Sequence, residues 1–425
     1  MKTRARAILS VTAFGAVTAL TLTGCSGGGD SASDADTITM LTAAAEGTPG
    51  GDVLRSVIAD FEAESGITVE LEVGGEDVPL VFETAAAAGE APDIVNINAV
   101  RNPLTWIDAG LVVPVTDYLT DWGLADSALP AAIEEWTRDD GQLQGFPYEG
   151  YQWPIWYNTA LFEEAGVEIP TTTDELIAAA AELRAAGIQP FAIGGNDWSG
   201  QKLFLQIAQS YLDADAARAI FSEGGWCASD DAMKGIELFT ELRDAGVFVD
   251  NAEGLEASSM SAAFMTGDAA MMSAGSWELG NAPAELADSI QFGGLAVPSG
   301  GAFDAPTAYQ GTANGFWIST NGAEKIDAVQ KFITYMYSPE VAAQFVDQAQ
   351  ILTVIDVPAD QLGTEVSPLL AQLTSELPTE VAYALQPDRY VPGDITEQQI
   401  RQTALAFAPG TSADSICAGL DSIYG

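Results

Sequence analysis

Nine tryptophans, Trp106, Trp122, Trp136, Trp153, Trp156, Trp198, Trp226, Trp277 and Trp317, carry most of the chemical information in this 425-residue sequence. An indole is a flat apolar plate with a single N–H donor. Set beside Asp, Glu, Asn, Gln or Arg, it suits a ligand with an apolar C–H face and a rim of hydroxyls, as sugars have. Most of the nine are expected to pack into a core, as Trp122, Trp136, Trp226 and Trp106 (within the helical pattern LTWIDAGL) should. Loop positions read differently. Trp198 lies in GGNDWSGQ, directly after a predicted strand Pro190–Gly194. A glycine-rich strand end with four polar side chains has no evident packing role, so Asn196, Asp197 and Trp198 are candidate ligand contacts. Trp277 and Glu278 follow a predicted strand Met271–Gly275, and Tyr151 and Trp153 lie between Pro147 and Tyr157.

The composition removes many alternatives. With no histidine, Ser-His-Asp and Cys-His catalysis and imidazole-based zinc sites are excluded. A formal charge of −46, from 61 acidic against 15 basic residues, disfavours nucleic acid and docking on anionic lipid. Sixty-one carboxylates can always place two beside a sugar, as a glycoside hydrolase requires. No acidic pair has a context that singles it out, so no catalytic residue, metal or cofactor is assigned. Hydrophobic content of 48% with 9% aromatics is that of a chain with a real core.

The elements that must position these residues follow an α/β rhythm. Thr37–Thr42 (TITMLT) is β-prone. Gly51–Ser65 has helical spacing at Val53, Leu54, Val57, Ile58 and Phe61, and Gly66 ends it. Ile67–Val73 alternates strictly as a strand, Val78–Ala88 reads as a helix, and Asp93–Ile97 reads as a buried strand. Thr172 and Glu175 form a capping-box pattern opening a helix to Ala186. Further helices are predicted at Ala232–Ala245, Ile326–Tyr337, Pro339–Gln348 and Thr396–Ala406. Asn158 should cap a helix after a strand, and Gly267-Asp268 should turn into a buried strand.

Residues 1–24 have a basic start at Lys2, Arg4 and Arg6, then an apolar run too short for a comfortable membrane span. That layout predicts a signal peptide. Leu22-Thr23-Gly24-Cys25 resembles the bacterial lipobox, which implies a lipid on Cys25 and residues 25–36 as a flexible tether. Cys227 and Cys417 then remain. They are either two buried thiols or one disulfide, which would close a loop of about 190 residues worth roughly 5 kcal/mol in the chain-entropy picture.

Several stretches resemble the extracellular solute-binding proteins of ABC importers, in the sugar-binding family that includes maltose-binding protein. These are Gly89–Val95 (GEAPDIV), Ala109–Val115 (AGLVVPV), Gly145-Phe146-Pro147, Trp156–Val167 (WYNTALFEEAGV), Pro170 with Asp174-Glu175-Leu176, and Ala263–Met271 (AFMTGDAAM) leading to Gly275-Ser276-Trp277. The ordered set spans residues 37–425. Thr173 departs from the family, which commonly has Trp there. The resemblance implies a bilobed type II periplasmic-binding-protein-like α/β fold, two lobes joined by a multi-strand hinge. Lobe 1 is expected at 37–147 plus 290–350, and lobe 2 at 148–289 plus 351–425.

The same resemblance implies an aromatic platform at Trp277 and sugar contacts from Asn98, Arg101 and Asn102. The planar fork of Arg101 suits vicinal hydroxyls. Glu46 after the first strand, Glu76 after the second, Gln310 and Gly311 after a polar stretch, and Asp388 near the C-terminus complete the candidate site. Asp388 and Arg389 could instead pair with each other. The expected function is non-catalytic capture of a mono- or oligosaccharide by a lipid-anchored monomer on the extracellular face, delivering it to membrane permease subunits. A binder of polyamines, peptides or chelates is the main alternative, and a hydrolase a lesser one.

Overall fold

The computed structural model describes residues 36–98, 105–138, 140–358, 361–363 and 367–425. Cys25, Arg101 and Asn102 lie outside them. The strands are, in chain order, β1 (Thr37–Thr42), β2 (Thr68–Val73), β3 (Ile94–Asn98), β4 (Phe146–Pro147), β5 (Gly150–Trp153) and β6 (Ile155–Asn158). They continue with β7 (Gln189–Ala192), β8 (Ala269–Ser273), β9 (Ile290–Gly293), β10 (Thr307–Thr312), β11 (Asn314–Ile318) and β12 (Ala382–Tyr383).

The rhythm of residues 37–98 supplies three strands of one sheet, which β11 and β4 complete in the order β2-β1-β3-β11-β4. β1 lies between β2 and β3 and runs parallel to both. The connecting helix Pro49–Ser65 starts where the Thr48 side chain accepts from the Gly51 N–H, and stops at left-handed Gly66. It buries Val53, Leu54, Val57, Ile58 and Phe61, the face its spacing marks out. The second sheet, β7-β8-β6-β9, is assembled in the same way. Its helix Thr173–Ala185 opens on the Thr172/Glu175 capping box, and Asn158 caps helix Thr159–Ala165 through the Leu161 N–H.

Each sheet has its own core. One draws on residues 38–148 and 316–355, the other on 155–296, Val346 and 369–423. Two separate cores define two lobes. The return to the first lobe therefore begins near 314 and not at 290. The segment around 290 stays in lobe 2 because β9 pairs with β6, and Leu295 and Ala296 pack in the second core. Likewise Val354 and Ile355 remain in lobe 1, beyond the expected end at 350. Among the described residues no helix is long and apolar enough to cross a membrane.

The lobes meet at a third, small sheet, β12-β10-β5. The chain leaves lobe 1 along β5 and returns along β10, which is antiparallel to it in the register Tyr151↔Gly311 and Gln152↔Gln310. A third crossing pairs alongside, with a Glu149↔Thr353 bridge and the Gly150 N–H donating to the Leu352 carbonyl. In lobe 2, Cys227 and Cys417 are joined in a disulfide, with Cα atoms 5.2 Å apart. The Asp421 carboxylate beside it accepts the N–H groups of Gly225, Trp226 and Cys227.

Candidate functional site

Four of the aromatic candidates converge on the hinge. Trp153 is 3% exposed and anchored on β5, with its indole N–H donating to Ser273 Oγ at the end of β8. Around it stand Tyr151 (ring centroids 6.4 Å apart), Trp198 (5.7 Å), Trp277 (5.2 Å) and Tyr309 (6.4 Å), every pair edge-to-face. Trp198 and Trp277 also approach each other to 6.2 Å. These rings come from three separate chain segments plus β10, so only the fold assembles them. Trp277 is 38% exposed, far more than a structural tryptophan of a core. By contrast Trp106, Trp136 and Trp226 are fully buried packing residues.

Two cavities between the lobes flank this cluster. The larger, about 670 Å³, is lined by Tyr151, Gln310 and Thr312 of the hinge, Glu134 and Glu135 of lobe 1, and Gln386, Asp388 and Arg389 of lobe 2. Glu135 Oε2 accepts the Thr312 N–H, and burial raises the carboxyl above its ordinary range. Tyr151 OH accepts from the Gln386 side-chain amide, and burial raises that phenol too. The smaller cavity, about 310 Å³, is lined by Ala43, Ala44 and Asn96 of lobe 1, Trp277 and Asn281 of lobe 2, and Tyr148, Glu149 and Asn314 at the hinge. Both fall at or within the usual size range of small-molecule sites, about 300–1,000 Å³.

The polar candidates divide. Gln310 and Asp388 line the larger cavity. Gly311 sits on β10 against Tyr151, where a Cβ would stand 3.0 Å from the phenol oxygen. Asp388 pairs with neither Arg389 nor open space: its partner is Lys202, and both side chains are largely buried. Arg389 instead donates to the Glu134 carbonyl. Glu278 is occupied by Ser261 Oγ and the Asn281 amide. Glu46 is exposed and lines neither cavity. Asn98 ends β3 opposite Asn314. Glu76 lies in the short turn Gly75–Asp77 beyond β2.

The stretch GGNDWSGQ has the packing role that its composition conceals. Asp197 caps helix Trp198–Ala208: one oxygen accepts the Ser199 N–H and hydroxyl, the other the Ala257 N–H at 2.6 Å. Gln201 is buried and donates to Gln399, while Asn196 is exposed and uses its backbone N–H on Leu255. A Cβ on Gly200 would lie 2.6 Å from the Gly194 carbonyl oxygen, so the glycines bring strand and helix into contact. Trp198 is half-buried behind Trp153 and lines neither cavity. Asp197 therefore holds the start of the helix that carries Trp198 and lines neither cavity.

Sequence reasoning passed over Tyr148, Glu149, Glu135, Asn281 and Gln386. Only Glu149 carried a signal, an acid two residues before Tyr151 at the predicted first crossing.

A two-lobed α/β chain with a three-stranded hinge and an aromatic cluster between the lobes defines a binding protein of the hinged solute-capturing class. The profile of the bacterial extracellular solute-binding protein family matches residues 44–343, and the chain belongs to that family. It is 28% identical over 244 residues to a probable sugar-binding periplasmic protein of Rhizobium meliloti, a match covering 54% of this chain and 55% of the relative. The chain thus spans about half the length of that curated relative. A solved probable secreted solute-binding lipoprotein from Streptomyces coelicolor is 41% identical, with a TM-score of 0.79 over 92% of this chain and 99% of that one. The maltotriose-binding protein of Thermus thermophilus, solved with maltotriose, shares the fold at 21% identity, with a TM-score of 0.70 over 91% of this chain and 98% of its own.

Proposed function

We propose that this protein is the substrate-binding component of an ABC sugar importer, holding a mono- or oligosaccharide between its lobes and passing it unchanged to permease subunits. One observation carries the reading: an exposed indole, Trp277, lines an interlobe cavity while packed edge-on against the buried Trp153. Stacking on such plates supplies affinity, and planar groups at the hinge set orientation. Closure of the lobes then shifts the open–closed equilibrium by the ligand's differential affinity for the closed form. The wider reading follows from the leader. Residues 1–24 are a signal peptide, Cys25 carries the lipid, residues 25–36 are the tether, and the monomer works on the outer face of the membrane. No bond is broken.

A thermal-shift panel of sugars, amino acids and polyamines tests this, since only a true ligand raises the melting temperature. Melting raised by polyamines or peptides and by no sugar would overturn the reading. Product formed from the stabilising sugar would make the protein a hydrolase. Metabolic labelling with palmitate, lost in Cys25→Ala, tests the anchor.

A further inference from the structure

The smaller cavity has an unbalanced charge. Glu149 is its only acidic lining residue, and no Lys or Arg lines it among the described residues. Among the described residues the carboxylate is held by Asn314 alone, through the side-chain amide at 2.7 Å and the backbone N–H. No ion pair reaches it among the described residues. Tyr148, 1% exposed, lines the same cavity, and its hydroxyl has no hydrogen-bond partner among the described residues. Asn96 is already spent on Thr42 and the Gly315 carbonyl. Trp277 of lobe 2 lines the same cavity.

These groups ask for a particular complement. A carboxylate shut into a cavity by lobe closure, with only hydroxyls facing it, keeps an uncompensated buried charge. An ammonium removes that charge, and the face of Trp277 adds a cation–π attraction. The Tyr148 hydroxyl, unpartnered among the described residues, has a proton to donate, and an oxygen on the same ligand would accept it. A polyamine meets the first demand and fails the second. We propose that the sugar taken by this cleft carries a protonated amine, which Glu149 pairs beside Trp277. The proposal rests on the sugar-binding reading and narrows it to amino sugars.

Burial holds the Glu149 carboxyl up at about 6 in the ligand-free protein, with the Asn314 hydrogen bonds pulling the other way. The one other titratable group lining the cavity among the described residues is the Tyr148 phenol, which burial holds well above its ordinary value. Glu149 alone therefore changes charge between pH 5 and 7, and an ammonium ligand prefers its ionised form.

Titration calorimetry of the full chain with glucosamine, glucose and N-acetylglucosamine, and with their β-1,4-linked dimers, decides the matter. At pH 7 the amine-bearing sugar of each set should bind at least tenfold tighter than its hydroxyl counterpart. Its affinity should fall on acidification to pH 5 while that of the neutral sugar holds. Glu149→Gln should bring the pair within about twofold. Should that variant fail to fold, the wild-type pH profile and the amine-to-hydroxyl ratio still give the answer. Neutral sugars binding as tightly as amino sugars would sink this proposal and leave sugar binding standing. Spermidine binding where no sugar binds would sink both.

Discussion

Trp153 stands edge-on to Trp277, ring centroids 5.2 Å apart and planes at 85°. One ring is hidden and tied to Ser273, the other is open to a cavity. The pair therefore divides labour between support and contact, and the two residues should fail differently when removed.

Trp277→Ala should weaken binding of the best sugar about thirtyfold, the roughly 2 kcal/mol of a hot-spot aromatic. It should leave the melting temperature of the ligand-free protein almost unchanged. Trp153→Ala should instead cost about 3–5 kcal/mol of stability. Calorimetry and urea unfolding on both variants separate the roles, and parental affinity in Trp277→Ala would dissolve the site.

Asp197→Ala should lower stability by about 1–2 kcal/mol, the loss of a helix N-cap. A sugar affinity within twofold of the parent is expected, because neither carboxylate oxygen faces the cavities. A selective loss of affinity with unchanged unfolding would return Asp197 to the ligand.

Asp388→Asn should cost about 3–5 kcal/mol by removing the carboxylate paired with the buried Lys202 ammonium. Pairing it with Lys202→Met should recover much of that loss. A double-mutant cycle in urea reads the coupling, and additive losses would mean that the pair contributes nothing.

The Glu149 carboxyl is raised from 4.5 to about 6 in the folded protein, chiefly by burial. The folded state thus binds its proton more tightly than the unfolded chain. That contribution is present in full below about pH 4.5 and is lost as pH rises through about 6. Glu149→Gln should therefore stabilise the ligand-free protein by on the order of 1–2 kcal/mol at pH 7.5, and by nothing at pH 4. Melting curves across that range check the sign.

The scaffold was largely readable. Helical spacing in residues 51–65, the Thr172/Glu175 box and the Asn158 cap are local signals, and each element lies within two or three residues of its expected place. Lobe membership was harder, because whether 290–293 pairs with β6 or with the first sheet is settled by contacts over 130 residues of sequence. The same limit governs the site. Tyr151, Trp153, Trp198 and Trp277 stand out in the sequence as aromatics beside predicted strand ends, and the structure gathers their rings at the hinge. The capping role of Asp197 was not legible, because a capping aspartate and a ligand-binding one look alike until the helix behind it is seen. Glu149 matters through its neighbours Asn314 and Thr353, which no window around residue 149 contains.

The three crossings are tied to one another: the Gly150 N–H donates to the Leu352 carbonyl, the Val354 N–H donates to the Tyr148 carbonyl, and Tyr151 pairs with Gly311 in the β5–β10 ladder. Three separate strings would let the halves swivel and slide, but a laced ribbon bends readily about one axis only. Opening and shutting then retrace a single arc, so Trp277 meets the same partners on every cycle. Discrimination among solutes can accordingly be written into fixed coordinates, without a search by the jaws at each encounter.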